Sequence, residues 1–247
     1  MPARNVSRAK AILAAAMTLR RDMARLRFGA PVAHVYHPLD YAWPVHQRYI
    51  LQFADGPRKV VFLGMNPGPF GMMQTGVPFG EIAAVRDWMG LSGKVAAPAN
   101  AHPKKPVQGF DCPRSEVSGR RLWGLFADRY KTAPAFFKNH FVVNYCPLGF
   151  LDAGGRNLTP DKLRRPEREP MREICDAHLR GLLTLLEPEW AVAVGDYAAQ
   201  CLDTVLPGIK VGIRRGKILH PSPASPAANR GWAEQATRQL ESQGIWS

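Results

Sequence analysis

Four short apolar segments constrain the fold of this chain more than any other feature. They cover residues 60–63, 141–144, 191–194 and 217–220. Most of them are continuously apolar rather than alternating, which is typical of β-strands covered by helices on both faces. Helical patterns separate them, so the strands are expected to run mostly parallel. The sequence therefore predicts an α/β fold, a three-layer α/β/α sandwich around a central, mostly parallel four-stranded sheet.

The helical segments fill most of the remaining chain. They are predicted at residues 7–26, 45–53, 81–89, 122–130, 167–186, 197–206 and 231–242. In the first, apolar residues recur at helical spacing, Ser7 is the predicted N-cap, and the outer face is basic. The sequence contains neither an internal repeat nor a clean linker. We therefore expect one domain over residues 1–247, with residues 1–30 forming a basic N-terminal helix packed on it.

The charge balance favours an anionic partner. Lys and Arg number 33 against 20 Asp and Glu, a formal net charge of +13. Such a balance suggests nucleic acid, with an anionic membrane as the weaker alternative. The N-terminal stretch spreads its basic residues, from Arg4 onward, through an Ala-rich sequence, without the apolar core of a secretory signal or of a membrane span. We expect no membrane association and a cytoplasmic location, associated with the nucleoid if the source is a bacterium.

Two basic clusters leave their role open. One contains Arg214, Arg215 and Lys217, and the other contains Arg164, Arg165 and Arg168. Each can be read as a phosphate contact or as a solvated face of the protein.

The spacing of cysteines and histidines does not indicate a metal site. The four cysteines are Cys112, Cys146, Cys175 and Cys201, and none forms a Cys-x-x-Cys pair. The histidines lack partners at zinc spacing. We expect reduced structural cysteines, no metal and no cofactor.

Polar residues flanked by prolines lie at the ends of three predicted strands. Asn66 follows the first strand, Asn144 ends the second and His220 ends the last. Ligands of parallel α/β sheets bind at the carboxyl ends of the strands, so these residues should meet although more than half of the chain separates the outer two. A lone Asn or His at such a place is more often structural. The glycines and prolines of residues 64–80, however, fix the backbone and allow close approach of a ligand, which is typical of a preorganised site.

These segments resemble the motifs of a known enzyme family. Residues 64–72, Gly-Met-Asn-Pro-Gly-Pro-Phe-Gly-Met, resemble the first motif of the single-strand-selective monofunctional uracil-DNA glycosylases, and residues 220–223, His-Pro-Ser-Pro, resemble the second. The first motif continues through residues 74–81, and further matches lie at residues 41–43, 86–88, 115–119, 144–148 and 155–160. The resemblance implies an enzyme that excises uracil, and oxidised uracils such as 5-hydroxymethyluracil, from single- and double-stranded DNA and leaves an abasic site. We expect a monomer, since nothing in the sequence hints at a larger assembly.

The resemblance also implies roles for individual residues. Asn66 resembles the residue that positions the attacking water, and His220 resembles the donor to uracil O2. Asn144 resembles the base-reading residue: its amide can accept from N3–H and donate to O4, whereas cytosine presents the opposite pattern. Phe79 resembles the aromatic residue that stacks on the flipped base. The predicted base pocket is completed by Met65 and by Gly68 and Met72, the last two matching positions that line the C5 side of the pyrimidine.

The segment before the final helix resembles the DNA-binding wedge of the family. The residues implied to contact DNA are Ser222, Pro223, Ala224, Ser225, Pro226, Asn229 and Arg230. The wedge fills the gap left by the flipped nucleotide and holds phosphates through backbone N–H groups. Vertebrate members carry a bulkier basic and polar pair where this chain has Ala224 and Ser225. We therefore expect weaker strand penetration and a stronger preference for single strands.

Two other functions stay open from sequence. One is a glycosylase of the same fold that acts mainly on mismatched or deaminated purine bases, and the other is a catalytically weak module that binds DNA damage. Strand cleavage is not expected, because the motifs place no lysine for a Schiff base and Lys217, the nearest candidate, should point away from the site.

Overall fold

A four-stranded parallel sheet forms the centre of the protein. The structure is a computed structural model and describes residues 7–210 and 212–247. Its strands are β1 (His34–Tyr36), β2 (Val60–Gly64), β3 (His140–Asn144), β4 (Gly149–Leu151), β5 (Asn157–Leu158), β6 (Trp190–Val194) and β7 (Arg214–Ile218). Its α-helices are α1 (Arg8–Met23), α2 (Pro38–Tyr41), α3 (Trp43–Phe53), α4 (Met72–Thr75), α5 (Val117–Tyr130), α6 (Ala133–Phe137), α7 (Arg165–Leu186), α8 (Asp196–Val205) and α9 (Trp232–Ser242). The spatial order of the central sheet is β3, β2, β6, β7, and all neighbouring pairs are parallel.

Apolar side chains on the two faces of this sheet hold the helix layers. Phe62 on β2 points to one face, where its ring lies 4.9 Å from that of Phe126 on α5. Phe141 on β3 points to the other face and stacks on Tyr49 of α3 at 5.0 Å. Helix α3 packs with α1 and α1 with α7, whereas α5 packs with α6 and α9. The predicted three-layer α/β/α sandwich with a four-stranded parallel sheet is therefore confirmed.

A second, small antiparallel sheet was not predicted. Strand β4 pairs with β1 and with β5, so the order is β1, β4, β5. Strands β4 and β5 lie within residues 147–160, outside the predicted strands. Each strand has only two or three residues, which is too short for an alternating pattern to be recognised. The short helices α2, α4 and α6 were not predicted either, because four or five residues are too few to show helical periodicity.

The last central strand lies earlier in the chain than predicted. Strand β7 ends at Ile218 instead of reaching residue 220, so His220 lies in the loop after it. β7 is an edge strand in which Gly216 and Ile218 are buried while Arg214, Arg215 and Lys217 are exposed. The first half of β7 therefore shows no continuous apolar run in sequence, because an edge strand can face solvent.

The two basic clusters are largely engaged within the protein. Arg215 pairs with Asp203 at 2.7 Å, and Lys217 pairs with Asp196. The guanidinium of Arg214 lies 4.3 Å from the ring centre of Trp190. In the other cluster, Arg164 pairs with Glu167 and Arg168 lies 3.6 Å from Glu169. These contacts favour the solvated face over the phosphate contact.

The N-terminal helix packs on the body of the protein. Helix α1 buries Ile12, Leu19 and Met23 and contacts α3 and α7. Ser7 occupies the N-cap position, as predicted, but its side chain makes no capping hydrogen bond; its hydroxyl donates to Asp55 Oδ1 at 3.1 Å instead. Residues 1–6, including the basic Arg4, and residue 211 lie outside the described residues. The division into one domain over residues 1–247 stays a prediction.

All four cysteines are buried, free thiols. In the part of the chain that the structure describes, no cluster of three or more His, Cys, Asp or Glu residues is placed to hold a metal ion. Across residues 7–210 and 212–247, no helix has the length and hydropathy of a membrane span.

Candidate active site

The three polar residues at the predicted strand ends line one cavity. Asn66 lies two residues after β2, Asn144 is the last residue of β3, and His220 lies two residues after β7. All three contribute to the wall of a cavity of about 490 Å³, which we call the base cavity. Parallel strands bring these positions together, and in the ladder Gly64 pairs directly with Asn144. We call this edge of the sheet, from Asn144 across Gly64 to His220, the rim.

Gly64 allows an aromatic ring to lie against the rim. A Cβ atom at Gly64 would collide with Oδ1 of Asn144 and would lie 2.7 Å from Cζ of Phe79. The ring centre of Phe79 is 6.1 Å from that of His220. Phe79 has a φ of 51°, in the left-handed region that non-glycine residues rarely adopt, and its carbonyl accepts from the Trp123 indole at 3.0 Å. The backbone there is held in an uncommon conformation that presents the ring to the base cavity.

His220 is a neutral hydrogen-bond donor. Its Nδ1 accepts a hydrogen bond from the backbone N–H of Ser222 at 3.1 Å. A ring nitrogen that accepts carries no proton, so the proton of the neutral imidazole resides on Nε2. Desolvation in the cavity wall lowers the pKa of His220 to about 4. At neutral pH the ring is therefore an uncharged Nε2–H donor.

The two asparagine amides are oriented by neighbouring acceptors. Nδ2 of Asn66 donates to the carbonyl of Leu148 at 3.2 Å, which leaves Oδ1 as an acceptor. Nδ2 of Asn144 contacts Sδ of Met72 at 3.3 Å, while its Oδ1 lies next to Gly64. Sulfur is a weak acceptor, so a better acceptor can take its place. Along the rim the groups therefore follow the order His220 Nε2, Asn144 Oδ1, Asn144 Nδ2 and Met72.

The remaining predicted base-pocket residues divide into two groups. Met65 and Gly68 line the base cavity together with Phe79. Met72 does not line it and reaches the site through its contact with Asn144.

The residues predicted to bind DNA form a series of turns before α9. Ser222 and Pro223 line the mouth of the base cavity. We call residues 222–230 the wedge segment. Ser225 is half-buried, and the other predicted contacts beyond the mouth are exposed, namely Ala224, Pro226, Asn229 and Arg230.

The backbone of the wedge segment already satisfies most of its own donors. The N–H groups of Ala224 and Ala228 donate to the hydroxyls of Ser222 and Ser225. Those of Ser225, Asn229 and Arg230 donate to backbone carbonyls. In this conformation these N–H groups are therefore not free to hold phosphates, and exposed side chains such as that of Arg230 are the remaining candidates for a phosphate contact. The side-chain amide of Asn229 is engaged within the protein, since its Nδ2 donates to Pro223 O at 2.9 Å.

Sequence reasoning missed a basic and aromatic cluster beside the base cavity. Nζ of Lys105 lies 4.4 Å from the ring centre of Phe70, and the guanidinium of Arg114 lies 4.0 Å from it. Phe70 and Arg114 line the cavity. We call these three residues the basic rim cluster. Phe70 lies more than thirty residues before the two cationic residues, so no local pattern could reveal the cluster.

A second arginine fastens the wedge segment to the helix layer. The Arg121 guanidinium on α5 donates to Pro221 O at 3.1 Å and to Asn229 Oδ1 at 2.9 Å. This residue was also missed, because it acts through contacts one hundred residues away in the chain.

Glu116 is a further missed residue, and it is acidic. It lines the base cavity, and its Oε2 is a buried oxygen with no hydrogen-bond partner in the structure. Burial, and in second place the charge of Glu81, raises the pKa of Glu116 to about 7. Its only sequence signal is its place in the matched segment at residues 115–119.

Glutamine at position 116 should make stability less dependent on pH. The folded-state pKa of Glu116 is about 7 against an ordinary value of 4.5, so the unfolded chain loses this proton first as the pH rises. The group thus lowers the free energy of unfolding progressively between pH 4.5 and 7. Urea unfolding should give Glu116→Gln little advantage at pH 4.5 and about 2 kcal/mol at pH 8, after allowance for solvent in the cavity. A difference that does not change with pH would contradict the assignment.

Known proteins resemble this chain in sequence and in fold. Residues 52–241 match the family model of the uracil DNA glycosylase superfamily. Single-strand selective monofunctional uracil-DNA glycosylases of Rattus norvegicus and Bos taurus are 46% and 44% identical over 239 residues, which is 97% of this chain and 86% and 88% of theirs. The crystal structure of wild-type Pedobacter heparinus SMUG2 covers 97% of each chain with a TM-score of 0.69 at 18% identity, a likeness of fold.

The match over residues 52–241 places this parallel-sheet protein in a superfamily of DNA glycosylases. The chain belongs to the uracil DNA glycosylase superfamily and, within it, to the single-strand selective monofunctional uracil-DNA glycosylases. The family resemblance found in the sequence is confirmed.

Proposed function

We propose that this protein is a monofunctional uracil-DNA glycosylase. It hydrolyses the N-glycosidic bond of uracil, and of oxidised uracils such as 5-hydroxymethyluracil, in single- and double-stranded DNA and leaves an abasic site. The observation that carries the proposal is the meeting of Asn66, Asn144 and His220 on one cavity beside Phe79. A monomeric state and a cytoplasmic location stay predictions.

The base cavity fits one extruded pyrimidine. A base inside a duplex is inaccessible, so the nucleotide must leave the stack at a cost of a few kcal/mol. Its ring then stacks on Phe79, and Asn144 reads its edge. Oδ1 accepts from N3–H while Nδ2 exchanges its weak contact with Met72 for uracil O4. Cytosine offers an acceptor at N3 and donors at C4, so both interactions would become conflicts.

His220 stabilises the leaving group. As the glycosidic bond breaks, negative charge builds on the uracil ring and its O2. The neutral Nε2–H of His220 can donate to O2 without losing its proton, because the bond from Ser222 fixes the tautomer before the substrate arrives. A preorganised donor of this kind acts electrostatically and requires no proton transfer.

Asn66 positions the water that completes the reaction. With Nδ2 held by Leu148, its Oδ1 can accept a hydrogen bond from a water directed at C1′. An amide is too weak a base to remove a proton from that water. Attack therefore follows, rather than precedes, most of the bond breaking, and the contribution of Asn66 is orientation.

The DNA strand can enter along the basic rim cluster. Lys105 and Arg114 lie beside the base cavity and flank an aromatic ring, which combines phosphate attraction with a stacking surface. Arg230 on the exposed wedge segment offers a further cation. The net charge of +13 accords with this contact.

The direct test is base release from a labelled oligonucleotide. The purified protein is incubated with single-stranded and duplex DNA containing one uracil, and the abasic product is cleaved with alkali. An otherwise identical oligonucleotide with thymine is the control. The expected result is cleavage at uracil only after alkali treatment. Faster release of hypoxanthine or mismatched bases would favour the purine alternative, and binding without any release would favour the damage-binding module.

A longer cation on the wedge segment should improve activity on duplex DNA. Ala224 is exposed and too small to fill the gap left by a flipped base. In Ala224→Arg, the ratio of kcat/KM on duplex to single-stranded uracil DNA should rise on the order of 5-fold, since part of the unstacking cost of a few kcal/mol is recovered. Ala14→Arg adds the same charge on the exposed face of α1 and should leave the ratio unchanged. An equal gain in both variants would show a general charge effect and contradict the wedge role.

A further inference from the structure

A carboxyl group with no part in the proposed mechanism faces the base cavity. Glu116 immediately precedes helix α5 but does not cap it with its side chain. The carboxyl group instead lies against the loop between β2 and α4. A Cβ atom at Gly68 would collide with Oε1, and a Cβ atom at Gly71 would collide with Oε2. The two glycines thus make room for this carboxyl group, although Oε2 gains no hydrogen bond from the protein.

The order of groups along the rim places Glu116 relative to the base. With O2 at His220 and N3–H at Oδ1 of Asn144, uracil O4 lies at Nδ2 of Asn144, on the side of Met72. The next ring atom beyond O4 is C5. The loop that leads into Met72 contains Gly68 and Gly71, against which the carboxyl group of Glu116 packs. Glu116 therefore lies on the C5 side of the base cavity.

We propose that Glu116 is a specificity-determining residue that reads the substituent at C5 of the flipped pyrimidine. It favours substituents that hydrogen-bond, such as hydroxymethyl, and disfavours alkyl groups of the same size. The inference rests on the proposed function, because it assumes that a pyrimidine binds in the orientation described above.

The chemistry of a buried carboxyl group explains this selection. A hydroxyl on the C5 substituent can donate to Oε1, the carboxyl oxygen beside Gly68, which itself lines the base cavity. Burial raises the pKa of Glu116 to about 7, so at neutral pH a share of the molecules also offers a carboxyl proton to the substituent oxygen. A methyl or ethyl group would cover the same oxygen without a hydrogen bond, which is costly for a buried polar atom.

The first test uses the wild-type protein and two substrates of nearly equal shape. Single-turnover rates are measured on oligonucleotides that carry 5-hydroxymethyluracil or 5-ethyluracil at the same position, with uracil as the reference. The hydroxymethyl base should be released about 10-fold faster than the ethyl base, the effect of one buried hydrogen bond. Equal rates on the two would overturn the proposal without any substitution.

The second test uses variants of the residue itself. Glu116→Leu should lower the hydroxymethyl-to-ethyl rate ratio about 10-fold, to near one. Glu116→Gln should keep the ratio within about 3-fold of wild type, since an amide also donates and accepts. Asp128→Asn changes an exposed acidic residue of α5 that does not line the cavity, and should leave the ratio unchanged. A ratio that stays at the wild-type value in a folded Glu116→Leu variant would overturn the proposal, as would an equal loss on all substrates.

Failure of this inference is distinguishable from failure of the proposed function. If the wild type releases no uracil, the proposed function is wrong. If it releases uracil with no preference between the two substituted bases, only the role of Glu116 is wrong.

Discussion

Replacement of His220 by alanine is expected to lower the rate of uracil release about 10²-fold or more. The substitution removes the Nε2–H donor aimed at the charge that develops on O2, and a single preorganised donor in a cavity contributes on this scale. Because desolvation lowers the pKa of His220 to about 4, the ring stays neutral above about pH 5. The wild-type rate should then show no inflection from this residue between pH 5 and 8.

The measurement is the single-turnover rate on a single-stranded uracil oligonucleotide. His34→Ala is a suitable control, since His34 lies on β1 in the small antiparallel sheet and does not line the base cavity. A His220→Ala rate within about 5-fold of wild type would contradict the donor role, because that is far below the usual effect of such a group. A rate that falls as the pH rises through 6.5 in both the wild type and Glu116→Gln would indicate a charged imidazole instead.

Replacement of Asn66 by alanine is expected to cause a loss of similar size. The variant lacks the acceptor that directs water to C1′, so the cationic sugar must be captured by an unoriented water. Asn66→Asp keeps an acceptor at the same place and should retain more activity than the alanine variant, although its carboxylate would face the carbonyl of Leu148. Single-turnover rates at saturating enzyme isolate this step from DNA binding.

Two results would contradict this account of Asn66. Equal rates for the alanine and aspartate variants would show that no acceptor is needed there. A loss confined to KM, with kcat unchanged, would assign Asn66 to binding and not to the positioning of water.

The rim could be predicted because the carboxyl ends of parallel strands all lie at the same edge of a sheet. Continuous apolar runs identified β2, β3 and β6, and the polar residues at the ends of β2 and β3 then have defined places in space. Asn66 and Asn144 therefore lie where the sequence indicates. His220 was found although its strand was placed too late, because the loop after β7 still leaves the carboxyl end of the sheet.

The other features depend on contacts that no local pattern records. The stretches β1, β4 and β5 form a sheet only because they pair with one another across the chain. Arg121 reaches the wedge segment, and Lys105 and Arg114 meet at Phe70, through tertiary packing alone. Glu116 looks in sequence like an ordinary acidic residue ahead of a helix. Its burial against Gly68 and Gly71 becomes visible only once the loop after β2 is folded over it.

The most direct measurement is a crystal structure of the protein with uracil bound as the reaction product. The account predicts one uracil ring stacked on Phe79 in the base cavity. O2 should lie about 3 Å from Nε2 of His220, with N3 and O4 paired to the amide of Asn144 and Oδ1 of Asn66 directed at the side of the ring that carried the sugar. Uracil bound elsewhere, or in this cavity with Asn144 or His220 out of hydrogen-bond reach, would contradict it.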